Sequence, residues 1–329
     1  LDVMTGELSG DLIVRGSGDP VFLIENAFAA AGALRACGVA RVVGDLVVTG
    51  VFFCNRAARQ RAGAVLKAAL NQDSWTEELE EAFDRYRVKG AAAAFESVVI
   101  TGDAVCSADL PAEGLTLLFT HQSTPLVRIL NRMNTYSDNW IAAAVGSSIC
   151  GPSGVENALI THYGLSRPPV RLVTTSGLGL NGATNGMRPV DVTSLLRSLV
   201  LRLGVHGYTP SDIMPVAGPG GGTLEERCFP SHIAKSVVAK SGTLWRGISA
   251  FAGYMYTKNR GIIVFAIMNE GSNPYLVRRS QDLLVLGQGP DGRVDLAGHG
   301  RVARLCQGLD TAELIARWTA GARFRHGSR

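Results

Sequence analysis

Apolar and polar positions along the chain follow two different periods, and the change between them divides it. From residue 7 to about 113 the apolar residues gather in short β-prone runs at 11–14, 41–49 (RVVGDLVVT) and 95–101 (FESVVIT), each flanked or broken by glycine. Between the first two, residues 23–36 are alanine-rich and read as helix, with Gly38 as its stop. Residues 64–89 read as a helix, an Asn71-Gln72-Asp73-Ser74 break and a second, amphipathic helix over 75–86. Glu77, Glu78, Glu80 and Glu81 fall in or near its first turns, where the helix dipole favours negative charge, and read as a solvated face. Composition shifts at Pro111-Ala112-Glu113-Gly114, which is taken as a domain boundary.

Beyond it the helical period takes over. Residues 125–133 (PLVRILNRM) predict a helix leading into Ser137-Asp138-Asn139, and 140–149 predict a small-residue helix, so that triplet falls on a turn between two helices. Residues 170–174 read as a strand ending in a glycine loop, and 191–202 as a helix with Pro189 near its start. Three successive strands follow at 237–240, 249–256 and 262–268, the last two joined by the hairpin signal Lys258-Asn259-Arg260-Gly261. A closing helix is expected over 278–286. After Gly287 the chain is rich in Gly, Arg and Asp, with one modest helix at 311–320. The pattern shows no internal repeat.

Composition narrows the classes. A chain of 329 residues with 46% hydrophobic and 18% charged residues is globular and long enough for two domains. The net charge of +4 comes without a basic run interleaved with aromatics, so nucleic acid is not an expected partner. The longest apolar run, residues 262–268, is far short of the ~20 residues of a membrane span. The start at Leu1-Asp2 runs straight into a strand-like pattern and reads as a cut end, so the lack of a signal peptide carries no information about export. Cys37, Cys54, Cys106, Cys150, Cys228 and Cys306 are scattered without clustered histidines; free thiols are expected and no metal site.

Two polar strings carry candidate chemistry. Ser137-Asp138-Asn139 offers a hydroxyl and an amide, although the same residue types commonly cap helices. Lys240-Ser241-Gly242-Thr243 puts an ammonium, two hydroxyls and an N–H at the end of an apolar strand, with a glycine that lets a substrate backbone approach. Such a strand end occurs often by chance; the ordered pair is the specific signal. Together they suit a site that attacks a carbonyl and holds a carboxylate. Two glycine strings are set aside. Gly177-Leu178-Gly179-Leu180-Asn181-Gly182 fits G-x-G-x-x-G but continues as loop rather than opening a helix. Gly218-Pro219-Gly220-Gly221-Gly222-Thr223 lacks the Gly-Lys-Ser/Thr ending of a phosphate cradle and reads as a flexible loop. His121 reads as a structural or rim residue.

S-D-N and K-[ST]-G, together with S-x-x-K, mark penicillin-binding proteins and class A β-lactamases. No serine of this chain has a lysine three residues on. More of the chain follows one family in order: Gly10-Asp11-Leu12, Gly16-Ser17-Gly18-Asp19-Pro20, Val43-Gly44-Asp45-Leu46-Val47, Ser123-Thr124-Pro125-Leu126, Met133-Asn134, Ser176-Gly177-Leu178, Gly222-Thr223-Leu224, Arg227 and Ala252-Gly253-Tyr254. Over roughly 6–50 and 115–285 the chain resembles the penicillin-binding proteins of the D-alanyl-D-alanine carboxypeptidase/endopeptidase type, the S13 peptidases. Thr174-Thr175 stand where that family has Asp-Gly, Ser241 stands where it has Thr, and residues 51–95 depart from its pattern.

The resemblance implies an α/β (α+β) fold: a transpeptidase/β-lactamase-like domain with an antiparallel sheet flanked by helices over 114–287, a β-rich inserted domain over 1–113 and an extension over 288–329. It implies that an upstream serine attacks the D-alanyl-D-alanine bond of a peptidoglycan stem peptide and that β-lactam antibiotics acylate the same serine. It gives Ser137 a proton relay, tuned by Lys240, and gives Asn139 the substrate amide. Ser241 and Thr243 would hold the terminal carboxylate, Gly242 would let the substrate approach, and the Thr243 N–H would complete half of an oxyanion hole. No cofactor is implied, and the location is exported, periplasmic or wall-associated. A class A-like serine β-lactamase fits less well, because 136 residues precede Ser137 without Ser-x-x-Lys and no deacylating glutamate loop is visible. Without its nucleophile the chain alone is expected to be silent, since such a loss costs on the order of 10⁶ in turnover; the other reading is a nucleophile-less module that binds wall peptides or a partner.

Overall fold

A computed structural model describes residues 2, 4–88, 95–109, 114–165, 170–225, 227, 229, 235–244, 247–257, 261–270 and 273–286, and the backbone of 301–308. The chain divides into two compact units: Leu1–Thr124 with Trp140–Cys150, and Pro125–Asn139 with Gly151–Arg329.

Among its described residues the first unit is built from helices and short, mostly parallel strands. Strands β1 (Glu7–Leu8), β2 (Leu12–Ser17), β3 (Arg41–Val42), β4 (Leu46–Val51), β5 (Phe53–Cys54), β6 (Ala57–Ala58), β7 (Val99–Ile100) and β8 (Ala104–Cys106) alternate with helices α1 (Ile24–Ala36), α2 (Arg59–Leu70) and α3 (Glu77–Val88). One three-stranded sheet runs β1-β3-β7 and another β2-β4-β8, all pairs parallel. The run 41–49 is therefore two strands in two sheets, and 95–101 contributes only β7.

These sheets share a corner used three times. Gly10-Asp11, Gly44-Asp45 and Gly102-Asp103 each turn the chain from a β1-type strand into a β2-type strand. Asp11 Oδ1 accepts the Asp45 N–H at 2.8 Å, and Asp45 Oδ1 accepts the Asp103 N–H at 2.7 Å. A Cβ on Gly44 would sit 2.3 Å from Asp11 Oδ1, and one on Gly102 2.2 Å from Asp45 Oδ1, so only glycine admits the rung behind it. This three-rung ladder is an internal repeat that the sequence pattern does not reveal. Along α1, Ile24, Ala27, Phe28, Ala31 and Leu34 form the buried stripe. Phe28 meets Trp75, Phe83, Tyr86 and Phe95 with ring centroids 5.2–5.8 Å apart. Glu77, Glu78 and Glu80 stay exposed in the first turn of α3.

Helix α4 (Leu126–Tyr136) of the second unit leads through Ser137 and Asp138 to α5 (Asn139–Ile149), which from Trp140 on belongs to the first unit, and α6 (Gly151–Tyr163) and α7 (Pro189–Val205) of the second unit follow. Strands β9 (Val237–Leu244), β10 (Ile248–Thr257), β11 (Gly261–Glu270) and β12 (Arg301–Gly308) form one antiparallel sheet in the order β12-β11-β10-β9, and α8 (Pro274–Leu286) lies between β11 and β12 in sequence. Side-chain alternation gives the sheet two faces. Val238, Tyr254 and Val264 pack with Ile213 and Met214, towards Val127 and Leu130 of α4 and Leu196 and Leu199 of α7. Val237, Ala239, Phe251, Phe265 and Ile267 pack with Leu284 and Val285 of α8. The mixed α/β class, with an antiparallel sheet flanked by helices, is the expected one.

Three sequence readings change here. Residues 170–174 form no strand, only a bridge from Arg171 to Gly186. Helix α6 was hidden by its opening Gly-Pro-Ser-Gly, which reads as loop although proline suits a first helical turn. The tail supplies β12, where no strand was expected. Residues 111–113 of the boundary signal, 258–260 of the hairpin signal and the 311–320 helix lie outside the described residues.

The ladder makes a prediction. Asp45→Ala removes a link between rungs and should cost about 1–2 kcal/mol. Asp103→Ala, at the last rung, should cost under about 0.5 kcal/mol. Urea unfolding midpoints compare them; equal costs would contradict the ladder.

Candidate active site

The corner after α4 is strained and well supported. Ser137 caps the helix at φ 54°, ψ 47°, a left-handed conformation uncommon outside glycine. Its N–H and that of Asp138 both donate to the Met133 carbonyl. Behind the last turn sits the short 3-10 turn Gly222–Leu224. A Cβ on Gly222 would lie 2.2 Å from the Thr135 carbonyl oxygen, and its φ of +55° also favours glycine. The segment read as a flexible loop is thus a fitted wedge, with Leu224 fully buried beneath it. On the same helix, Asn134 Nδ2 donates to the Ile213 carbonyl at 2.7 Å, and Asn131 Nδ2 to those of Asp212 at 3.2 Å and Ser211 at 3.4 Å.

That same segment then runs beside β9. The Ala217 N–H donates to the Val237 carbonyl at 2.9 Å and the Ala239 N–H to the Pro215 carbonyl at 3.1 Å, whereas Ser236 offers its carbonyl to Tyr256 on the opposite side. Odd-numbered residues of β9 therefore point their backbone groups away from β10. Past Pro215 no described strand covers this edge, so the N–H and C=O of Ser241 and Thr243 face outward. Opposite them on β10 stand Phe251 and Ser249, and Gly242, exposed, stands opposite Ala250.

Lys240 joins the two halves. Its Nζ donates to Ser137 Oγ at 2.9 Å and also to the Ser241 carbonyl. Among the described residues it forms no ion pair with a carboxylate. Burial lowers its pKa from 10.5 to about 8, because a desolvated ammonium has lost hydration that two neutral acceptors only partly replace. About a tenth of it is then neutral at pH 7. A serine hydroxyl held by such a lysine can pass a proton to a group in front of it.

Of the sequence candidates, the structure brings together Ser137, Lys240 and Ser241. Thr243 shares the outward edge with Ser241, and Gly242 lies between them on β9. Asn139 is the exposed first residue of α5, two positions past Ser137. The loop 171–186 is pinned by a residue that the sequence reading passed over. Asn185 Oδ1 accepts from Val173 N at 2.7 Å and Thr174 N at 3.1 Å, and its Nδ2 donates to the Thr174 carbonyl at 2.8 Å. The Thr174 hydroxyl accepts from Gly179 N and Ser176 Oγ, both at 3.3 Å. No helix opens in that glycine run. His121 sits 3.7 Å from Asp19 and edge-on to Phe22, a structural setting. Cys37, Cys54, Cys106 and Cys150 are free thiols, and burial pushes that of Cys54 up to about 12. Among the described residues no three His, Cys, Asp or Glu side chains gather to hold a metal, and no helix is long and apolar enough to cross a membrane.

The second unit thus brings together a strained serine corner, a half-buried lysine and an open strand edge. The sequence profile of the D-Ala-D-Ala carboxypeptidase 3 (S13) family matches residues 88–286, more than half of the chain, and the chain belongs to that family. It is 25% identical over 180 residues to a carboxypeptidase DacB of Mycolicibacterium smegmatis, a match covering 49% of this chain and 37% of that protein. The chain thus matches well under half the length of that relative. Among solved structures it is similar to a penicillin G-acylated predatory endopeptidase of Bdellovibrio bacteriovorus in complex with an immunity protein (TM-score 0.62, 20% identity, 84% of this chain and 73% of that one). It is also similar to penicillin binding protein 4 of Haemophilus influenzae complexed with a β-lactam (TM-score 0.59, 17% identity, 86% and 82%). At these identities the structural matches establish the fold.

The half-buried lysine predicts a pH dependence. Its pKa is about 8 folded against 10.5 when exposed, so between these values the unfolded chain holds the proton that the folded chain has released. Stability therefore rises with pH across that window, by about 3 kcal/mol, and the cost of burying the charge is fully present below pH 8. Lys240→Met should abolish this rise in urea unfolding measured from pH 7 to 10.5; an unchanged slope would mean that Lys240 is not the titrating group.

Proposed function

We propose that this site is the substrate-holding part of a serine D-alanyl-D-alanine carboxypeptidase/endopeptidase that works on peptidoglycan stem peptides through an acyl-enzyme and binds β-lactams. The observation that carries the reading is the Lys240 ammonium, shared between Ser137 Oγ and the carbonyl of the open β9 edge. An extended peptide can lie along that edge as an added strand, using the outward backbone groups of Ser241 and Thr243. Its terminal carboxylate meets the Ser241 and Thr243 hydroxyls, and Gly242 leaves room for its backbone. Asn139 orients the substrate amide. The Thr243 N–H is one oxyanion donor, worth typically about 3 kcal/mol of barrier. Ser137 passes a proton to the leaving D-alanine amine, with Lys240 setting its readiness to do so. Water then releases the acyl group.

The attacking serine of a Ser-x-x-Lys motif is required by this mechanism and is not among these 329 residues, so the chain alone binds without turnover. Residues 1–113 are read as a domain inserted ahead of Ser137. An exported protein fits a cell-wall substrate. That relatives and neighbours are a carboxypeptidase, a penicillin-acylated endopeptidase and a β-lactam-bound penicillin binding protein supports the reading. The missing motif favours a second reading, a module that binds wall peptides without cleaving them.

Fluorescent penicillin separates the two. The full-length gene product should give a covalent band, and Lys240→Ala should slow its formation about 100-fold or more. A full-length product carrying Ser-x-x-Lys that takes no label would sink the enzyme reading; unchanged labelling of the variant would remove Lys240 from the mechanism.

A further inference from the structure

Behind the β9 edge lies a buried polar chain that the mechanism above does not use. Arg227 Nε pairs with Asp282 Oδ1 at 2.7 Å, with side chains only 3% and 2% exposed. The two terminal guanidinium nitrogens donate to Gln281 Oε1, each at 3.3 Å. Gln281 Nε2 donates in turn to Ser249 Oγ at 3.1 Å and Asn269 Oδ1 at 2.9 Å. The guanidinium carbon also stands 3.8 Å over the Phe251 ring. Gln281 and Asp282 belong to α8, Ser249 and Phe251 to β10, and Asn269 to β11.

The register gives this chain its meaning. Ser249 stands directly opposite Thr243, and Phe251 directly opposite Ser241. Directly opposed side chains share a face of the sheet. The two β10 residues that Arg227 reaches, one through Gln281 and one through its ring, are thus the partners of the two hydroxyl residues proposed to hold the carboxylate. Stability alone does not call for such a pair. Replacing a buried ion pair by apolar residues of similar size is often neutral or stabilising, whereas buried polar groups can select one packing among several.

We propose that Arg227 is a positioning residue of this site: with Asp282 and Gln281 it locks the end of the β9–β10 pairing from behind and so fixes where Ser241 and Thr243 meet a substrate carboxylate. The assignment rests on the proposed function for its substrate, but not for the locking itself. Even-numbered β9 residues point their amides at β10, so the Gly242 N–H reports the pairing at the locked end and the Val238 N–H reports it at the far end.

The test uses the whole 329-residue chain, with N,N′-diacetyl-L-lysyl-D-alanyl-D-alanine as probe. Arg227→Met combined with Asp282→Leu removes the ion pair with apolar volume kept; Gln281→Met cuts the link to Ser249 and Asn269 and leaves the ion pair in place. In whichever variant folds, Gly242 amide exchange should quicken about tenfold or more while Val238 is unchanged, and peptide affinity measured by NMR titration should fall about tenfold. Arg227→Lys, which can keep Asp282 but not both contacts to Gln281, should fall between. Folded variants with unchanged Gly242 exchange would overturn the proposal, as would faster exchange spread evenly over both amides. If the unaltered chain does not bind the peptide, the substrate reading fails, and Gly242 exchange still decides whether Arg227 locks the strand.

Discussion

One ammonium has to satisfy a helix corner and a strand edge at the same time. Lys240 is half-buried, has no carboxylate partner among the described residues, and spends its hydrogen bonds on Ser137 Oγ and the Ser241 carbonyl. An ammonium in that position tolerates little displacement, because a lost acceptor leaves desolvated charge uncompensated. Much of the second unit serves to hold those acceptors still. Gly222 admits the turn that supports Thr135, and Asn131 and Asn134 hang α4 on residues 211–213. The chain that continues from there pairs with β9 just short of Lys240. Helix corner and strand edge are therefore referenced to the same stretch of backbone.

The two faces of the sheet solve different problems. Towards α4 and α7 the contacts are apolar except where Lys240 meets Ser137 and where the Tyr254 hydroxyl is satisfied at 2.7 Å by the Leu196 carbonyl. Towards α8 the core surrounds a charged pair and an amide, and every stage of that chain has a partner. An apolar face gives cohesion with little directional demand. A buried hydrogen-bonded chain gives less net stability but has few acceptable geometries. The directional face is the one that carries the hydroxyls of Ser241 and Thr243.

How much of this could be read from the sequence depended on how local the cause was. The strands around 237–268 and the two helices flanking Ser137 follow from hydrophobic period alone. The pairing of Ser137 with Lys240 was implied by motif order, although nothing in either string fixes a 2.9 Å contact between residues 103 positions apart. The Gly-Asp ladder was illegible because its repeat is two residues long and its spacings, 34 and 58, are unequal. Helix α6 opens with residues that favour turns, and β12 follows a glycine-rich stretch. Arg227 stood in the family order, yet only the register of β10 against β9 shows what it lies behind.

Where the supports of the site come from bears on what it can do without a nucleophile. Ser137, Lys240, the Gly222 wedge, the Asn185-pinned loop and the buried Arg227 chain all belong to the second unit, and their contacts are made within it. None of those contacts runs through an attacking serine. On the function proposed above, carboxylate and peptide recognition along β9 would in this sense be prepared before any covalent chemistry. The energy that orders the edge is supplied by folding rather than taken from substrate binding, which is the condition under which bound substrate is held ready for attack. On that proposed function, binding and acylation are then separable: the first would rest on these residues, and the second would need one more side chain delivered to a surface already in place.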